Sequence, residues 1–549
     1  KKNNKVMSFE DVIGKVEIKD NVIITPDKRY VTIVEIAPIN FDYKTALDKE
    51  KIIDGFAQLT KIGPVTMQIK SLSRRADVNK YINVLNHDFA LEKDSHLKPY
   101  QDDYMRLIKR LGVYSGLSRR FFIVLEACGN DTEKIKSFDD AVYYLDKAKQ
   151  TIRRFIRNCG NAVIRHGDEK NFLINTLYEF ANKNKTIYDL KERKQAFYDE
   201  ARRITDNDEE LLDNFNVPVS TLVSPEKIEF YSEYRVVDGT YYSFLYIPSK
   251  EYPSRISYAW LTGIICGAEG IDVDIFVDKK DSKSMKNKLR TKIRINKARM
   301  NTMKNTEGEN YEEIGKSIQS SAYIRNRLNS GEDFFYVTTM FTLSASSLEE
   351  LYEKNSAVKD MFGAIDVDLN ECEYKIKEAF SSYMPLNTLD PYIYSKGKRN
   401  MTTSGLSAFY PFNSFEVSDT DGILLGISDN KTMLVIDNFD TSKYSNANIT
   451  LLGTSGAGKT FTLQTMCLRF RLKGVQTFVI APIKGDEYER GCKEVNGEFL
   501  TISSGSKTLW KFDQAQMRTQ RNWAIHLKEK DNQSSVAKST LCLPSSRWR

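Results

Sequence analysis

The chain has 549 residues, 41% hydrophobic and 28% charged, with a formal net charge of +7. At roughly 150 residues per domain this allows about three or four domains with sizeable cores, and it excludes a wholly disordered, collagen-like or disulfide-scaffold chain. The longest nearly apolar stretch, Tyr258 to Ala268, is about half of the roughly 20 residues that a membrane-spanning helix needs.

Val22–Thr25 and Tyr30–Ala37 read as strands around an Asp-Lys turn, and Lys44–Leu59 as a helix. Val65–Ile69 and Phe121–Leu125, rich in β-branched and aromatic residues, read as further strands. Residues 132–163 carry apolar positions at Ala141, Tyr144, Leu145, Ala148, Ile152 and Ile156, a helical period that Gly160 stops. Residues 170–214 continue as charged helices, and Asn216–Pro225, with two prolines, reads as a linker. A second block holds the strands Tyr241–Ile247, Ile271–Phe276 and Phe334–Leu343. A helix follows, with Ser347 and Glu350 as its capping box and Gly363 as its stop. Gly422–Ile427 and Thr432–Ile436 read as a hairpin. No internal repeat is visible. The division expected is an α+β domain at 1–220, a second α+β block at 226–390, a partial α/β P-loop domain at 396–507 and an atypical tail at 508–549.

Seven cysteines lie at 128, 159, 266, 372, 467, 492 and 542 with no CxxC, which favours a reduced compartment over a zinc ribbon or a redox motif. The four histidines stand singly, and no secretory signal segment is visible. The chain opens on Lys1 rather than Met, which reads as a trimmed chain. Lys279–Lys304 carries eleven Lys/Arg against one acidic residue. That composition reads first as a solvated face, with a helix tracking DNA phosphates or an anionic membrane as the functional alternative; with no aromatic residue interleaved it does not suit base stacking. Thr508–Arg549 carries eight Lys/Arg against three Asp/Glu and three of the four tryptophans. Whole-chain charge is therefore weak ground for a nucleic-acid partner.

The segment with specific chemistry is Gly453-Thr454-Ser455-Gly456-Ala457-Gly458-Lys459-Thr460, a full G-x-x-x-x-G-K-[ST] match. Asn448–Leu452 before it reads as a short strand, Phe461–Arg471 after it as a helix ended by Gly474, and Val475–Ile480 as the next strand. That order makes one βαβ unit. Glycines let the backbone approach phosphates, successive N–H groups cradle them, and the helix N-terminus adds positive potential. Lys459 would neutralise β/γ-phosphate charge and Thr460 would offer its hydroxyl to Mg²⁺, which makes ATP with Mg²⁺ the expected ligand. No general base is identified. The carboxylates that could order magnesium, Asp486 and Glu487, come only after Pro482 and Gly485 break the strand; Asp437 precedes the loop.

With these residues in hand, the chain resembles the conjugation-type traffic ATPases of type IV secretion systems, the CagE/TrbE/VirB group, most of all versions from Gram-positive conjugative elements. The resemblance rests on Arg399-Asn400-Met401-Thr402-Thr403, Phe409-Tyr410-Pro411-Phe412, Asp421-Gly422 with Gly426, Asn446-Ala447-Asn448, the loop at 453–460, and Ala481-Pro482-Ile483-Lys484-Gly485 with Glu487-Tyr488. It is specific over about 390–507 and general elsewhere. It implies an N-terminal region that docks on membrane channel components and a RecA-like P-loop motor that forms a homo-oligomer. It places the protein in the cytoplasm at the inner face of the cell membrane, with ATP hydrolysis energising pilus assembly or substrate transfer. The family continues past the point where this sequence stops matching, near Ser506, so a frameshift or premature end is expected. A bound nucleotide without turnover is expected with it. Two other functions fit the same residues: a scaffold indifferent to nucleotide, and a DNA-pumping ATPase of the FtsK/HerA kind, in which the basic segment 279–304 would contact DNA.

Overall fold

The computed structural model describes residues 5–503 and 523–528, apart from 43, 63–65, 76–77, 115–116, 128–134, 136, 205–217, 254–255, 268–269, 303–308, 415–418, 420, 428–432, 442–443, 445 and 482–484. The chain divides into two units, one of residues 1–75 with 117–416 and one of residues 76–116 with 417–549.

The first unit is mixed α and β, built on a 14-stranded sheet whose strand pairings are antiparallel. Its centre runs in the order Thr240–Tyr246, Phe334–Ala345, Ile271–Lys280, Thr66–Arg75, Leu117–Glu126, Tyr30–Ala37. Successive strand side chains point to opposite faces, so a strand buried on both sides reads as one apolar run. YVTIVEIA is such a run: Val34 and Ile36 join one core, Val31 and Ile33 the other. The first core is closed by the helices Ala46–Ile62, Phe138–Asn158 and Leu348–Gly363 through Phe56, Ile152 and Phe362 among others. The second is closed by Glu169–Ala181 and Ile376–Tyr383 through Leu177 and Phe380. The helix predicted at 132–163 is Phe138–Asn158, and its predicted apolar positions except Tyr144 are buried, together with Lys149.

Several expectations need correction. The blocks at 1–220 and 226–390 are not separate, because one sheet runs through both. The supposed linker contains the helix Val219–Val223, which buries Ser220, Leu222 and Val223; residues 216–217 lie outside the described residues. The third concerns repetition. Strand 30–37, helix 46–62, strand 66–75, an insertion, strand 117–126 and helix 138–158 are followed later by strand 240–246, helix Thr262–Gly267, strand 271–280, an insertion, strand 334–345 and helix 348–363. The two series meet where 66–75 pairs with 271–280, and their strand order mirrors about that junction. A repeat of topology is present without a repeat of residues, and the second helix is 6 residues long where the first is 17, which hides it from sequence inspection.

Ser347 caps Leu348–Gly363 as predicted, accepting from the Glu350 N–H at 3.2 Å. The return bond goes one residue further back, from the Ser346 N–H to the Glu350 carboxylate at 2.8 Å. Hydrogen bonds from Lys354 and Ser346 hold the Glu350 carboxyl below its ordinary 4.5, at about 2. A carboxyl with a depressed folded-state pKa stabilises above its unfolded value and loses that contribution as pH falls toward the folded one. Stability should therefore drop between pH 4.5 and 2 through this group, and Glu350→Gln should flatten that part of an acid titration followed by circular dichroism. The side chain is 38% exposed, so solvent screening limits the effect to below about 1 kcal/mol.

In the second unit, the hairpin strands Ile423–Ile427 and Met433–Ile436 pair antiparallel. The strands Phe478–Ala481, Trp523–Lys528 and Glu498–Ser503 form a parallel sheet in that order. The sequence reading expects only an atypical tail at 508–549. Yet Trp523, Ile525 and Leu527 alternate with Ala524, His526 and Lys528, and this six-residue stretch is the middle strand of that sheet. The rest of 508–549 lies outside the described residues. Residues 399–412, expected in the P-loop domain, belong to the first unit: Arg399–Thr402 pairs with Phe334–Ala345, and Phe409, Tyr410 and Phe412 enter the first core.

Candidate functional site

Residues 453–460 form a loop that runs directly into the helix Lys459–Leu472. Gly456 has φ 79° and Gly458 has φ 85°, left-handed values that a side chain resists. A Cβ on either would meet nothing within 4 Å, so backbone conformation, not crowding by the protein, is what demands glycine there. Gly458 is the residue before the helix, and its carbonyl receives the first intrahelical bond, from the Thr462 N–H at 2.9 Å. Its own lack of a side-chain cap leaves the first helical N–H groups available to an anion. The Lys459 ammonium turns back over the loop and donates to the Gly453 carbonyl at 2.8 Å and the Thr454 carbonyl at 2.6 Å. Gly453 through Gly458 are exposed, and Lys459 and Thr460 are half-buried. The left-handed glycines, the Lys459 ammonium and Thr460 thus stand together where the loop enters the helix.

The far end of this helix is held by charge. Gly474, at φ 82°, ends it, and the Val475 N–H reaches back to the Phe470 carbonyl at 3.0 Å. Arg471 pairs with Glu92 and lies 3.6 Å from Asp94, and Lys473 lies 3.0 Å from Asp88 and pairs with Asp421. Cations near a helix C-terminus are favoured by its dipole. Asp88, Glu92 and Asp94 come from the helix Asn79–Leu91 and the turn after it, and Asp421 from just before the hairpin strand Ile423–Ile427. The next helix, Lys98–Tyr114, adds Gln101, which donates to the Leu472 carbonyl at 3.0 Å. Tyr81 and Tyr104 join the two helices through their hydroxyls at 2.9 Å, and Tyr104 receives the Leu424 N–H at 3.1 Å. Sequence reading missed this support, because residues 79–114 carry no phosphate motif and sit inside the strand order of the other unit.

Two predicted neighbours of the loop differ. Asn448–Leu452 is not a strand: it has no ladder partner among the described residues, and Leu452 is 90% exposed. A parallel strand needs a neighbour on the hydrogen-bonding edge and cover on both faces, and this segment has neither. The β-strand after the helix is Phe478–Ala481, shorter than predicted. Asp486 and Glu487 do not end a strand; they occupy the first turn of the helix Asp486–Glu494, where the helix dipole favours them. Asp437 accepts from the Phe439 N–H at 3.1 Å and serves a turn. Among the described residues no cluster of His, Cys, Asp and Glu could hold a metal ion by itself. A cavity of about 570 Å³ opens beside the helix Lys459–Leu472, lined by Phe461, Leu468, Val479, Tyr488, Cys492 and Val495 among others, and residues 453–460 take no part in its wall.

No described helix is long and apolar enough to cross a membrane. The described cysteines 159, 372, 467 and 492 are free thiols. Neither a protein-family model nor a curated protein matches the chain.

Proposed function

We infer that the second unit binds a nucleoside triphosphate, ATP with Mg²⁺, through residues 453–460. On this reading the chain is the ATP-binding subunit of a conjugative type IV secretion machine, docked on membrane channel components at the inner face of the cell membrane. The observation that supports it most is the pairing of left-handed Gly456 and Gly458 with a helix that starts at Lys459. That geometry exposes consecutive backbone N–H groups to one point. Lys459 would exchange its two carbonyl acceptors for phosphate oxygens, and Thr460 would supply a hydroxyl to the metal. The nucleotide, when bound, would supply the hydrolysable phosphoanhydride. This chain's own residues hold its charge and orient it. The family's RecA-like motor and its homo-oligomer belong to the same proposal.

Removing one charge-assisted contact of this kind costs roughly 1.5–3 kcal/mol. Lys459→Ala is therefore expected to weaken ATP binding about 10- to 100-fold by isothermal calorimetry with Mg²⁺ present, while thermal unfolding without nucleotide stays unchanged. Equal affinities for the two proteins would overturn the reading and leave the scaffold function.

A further inference from the structure

The helix Ser282–Thr302 lies in the second of the two insertions and carries eight Lys/Arg and no acidic residue. Its apolar side is spent. Met285, Leu289, Ile293 and Asn296 are buried, and Met285 and Leu289 pack with Leu328 and Phe334 beside the helix Glu309–Asn329. At 3.6 residues per turn the cations fall into two rows. Lys283, Lys286, Arg290, Arg294 and Lys297 form one, at steps of three and four; Lys288, Lys292 and Arg299 form the other. Between the rows, facing outward, runs a third stripe of Ser284, Asn287, Thr291, Ile295, Ala298 and Thr302, all exposed. Seven of the eight cations are exposed, Lys286 is half-buried, and none forms an ion pair with a described residue. Among the described residues these cations have no ion-pair partner, and they stand on both flanks of a neutral ridge.

We propose that this helix docks on duplex DNA, its neutral ridge entering the major groove and its two basic rows facing the phosphates of the two strands. The dimensions agree. A helix with side chains is about 10–12 Å across, and the B-form major groove is about 12 Å wide. An anionic bilayer is the weaker fit, because an interfacial helix inserts an apolar face, and here that face is covered by its neighbour. On the outward side Ile295 alone is a large exposed hydrophobe. Single strands are disfavoured, since this helix has no aromatic residue on which a base could stack. The proposal does not rest on nucleotide binding at residues 453–460.

Binding of the full chain to a labelled 20-base-pair DNA duplex, followed by fluorescence anisotropy across a salt series, tests it. With eight phosphate contacts log K should fall against log salt with a slope of about −7, which is on the order of 10⁴-fold between ~50 and ~200 mM. The triples Lys286→Gln/Arg290→Gln/Arg294→Gln and Lys288→Gln/Lys292→Gln/Arg299→Gln should each bring the slope to about −4.5. Their far-UV circular dichroism and Tm should match the parent, since each side chain replaced makes no described ion pair. Duplex RNA, whose major groove is too narrow to admit a helix, should bind more weakly. Four results would each overturn the proposal: one triple leaving the slope unchanged, RNA binding as tightly as DNA, phosphatidylglycerol vesicles binding where DNA does not, or no binding to any of them. Lys459→Ala should leave every one of these curves in place, so the fate of the ATP reading stays separate.

Discussion

Lys70→Met is expected to destabilise the first unit by about 3–5 kcal/mol, the cost of stranding a buried carboxylate. Lys70 sits on Thr66–Arg75 directly opposite Asp274 on Ile271–Lys280, at the junction of the two mirrored strand series. Both side chains are 1% exposed and ion-paired. Gln68 also donates to Asp274, at 2.9 Å, and Lys70 reaches the Tyr383 carbonyl at 2.5 Å. Two residues along, Asp272 receives the Tyr383 hydroxyl at 2.9 Å and Lys183 at 2.6 Å. The network therefore ties both central strands to the helix Ile376–Tyr383. Burial pushes the Asp274 carboxyl from its ordinary 3.8 up to about 6, against the pull of Lys70, and pushes the Lys70 ammonium down.

The sign of the pH effect follows from that direction. A folded carboxyl with a raised pKa holds its proton where the unfolded one has lost it, so stability falls as pH rises from 3.8 toward about 6. Without the Lys70 charge the folded value climbs further, and the loss continues to higher pH. Hydrogen exchange of the amides in 66–75 and 271–280 reads this locally. Lys70→Met should cost less at pH 4 than at pH 8, and Lys70→Met/Asp274→Leu should recover most of the stability, because an apolar pair of similar volume removes the stranded charge. A double variant no more stable than the single would mean that packing, not charge, holds this position.

Much of this unit was legible in the sequence, because its signals are local. Tyr30–Ala37 and Phe334–Leu343 are apolar runs bounded by turn residues, and Ser347 with Glu350 marks a helix start whatever surrounds it. The glycines of 453–460 also speak for themselves, since left-handed backbone at Gly456 and Gly458 is a local demand. What escaped was pairing across long separations. Nothing near Lys70 announces Asp274, and nothing near Gln101 announces the Leu472 carbonyl. The strand expected at Asn448–Leu452 failed for the same reason: its composition suits a strand, but a strand is made by its neighbour, and the sequence does not say which segment that is.

The same lesson applies to Phe409-Tyr410-Pro411-Phe412, grouped by sequence with residues 453–460, whose three aromatic residues enter the core of the first unit instead. Phe412 is fully buried, with ring centroids 6.1 Å from Phe56, 6.1 Å from Phe121 and 5.8 Å from Tyr410, all edge-on. Its carbonyl accepts from the Ile39 N–H at 3.1 Å and from Asn161 Nδ2 at 3.2 Å, while the Tyr410 hydroxyl donates to Asn161 Oδ1 at 2.6 Å. The backbone bonds survive truncation of the ring, so Phe412→Ala isolates the packing contribution. Three aromatic neighbours on different elements cannot all collapse into the space, and the expected cost is about 3–5 kcal/mol by urea denaturation, against about 1.5 kcal/mol or less for Phe412→Leu if the core repacks around it. On the proposed ATP reading, the variant's affinity at temperatures where it is folded should equal that of the parent, because the side chain belongs to the first unit and residues 453–460 to the second. A variant that keeps its stability but loses ATP would return this motif to the site proposed at residues 453–460, with which the sequence alone had grouped it.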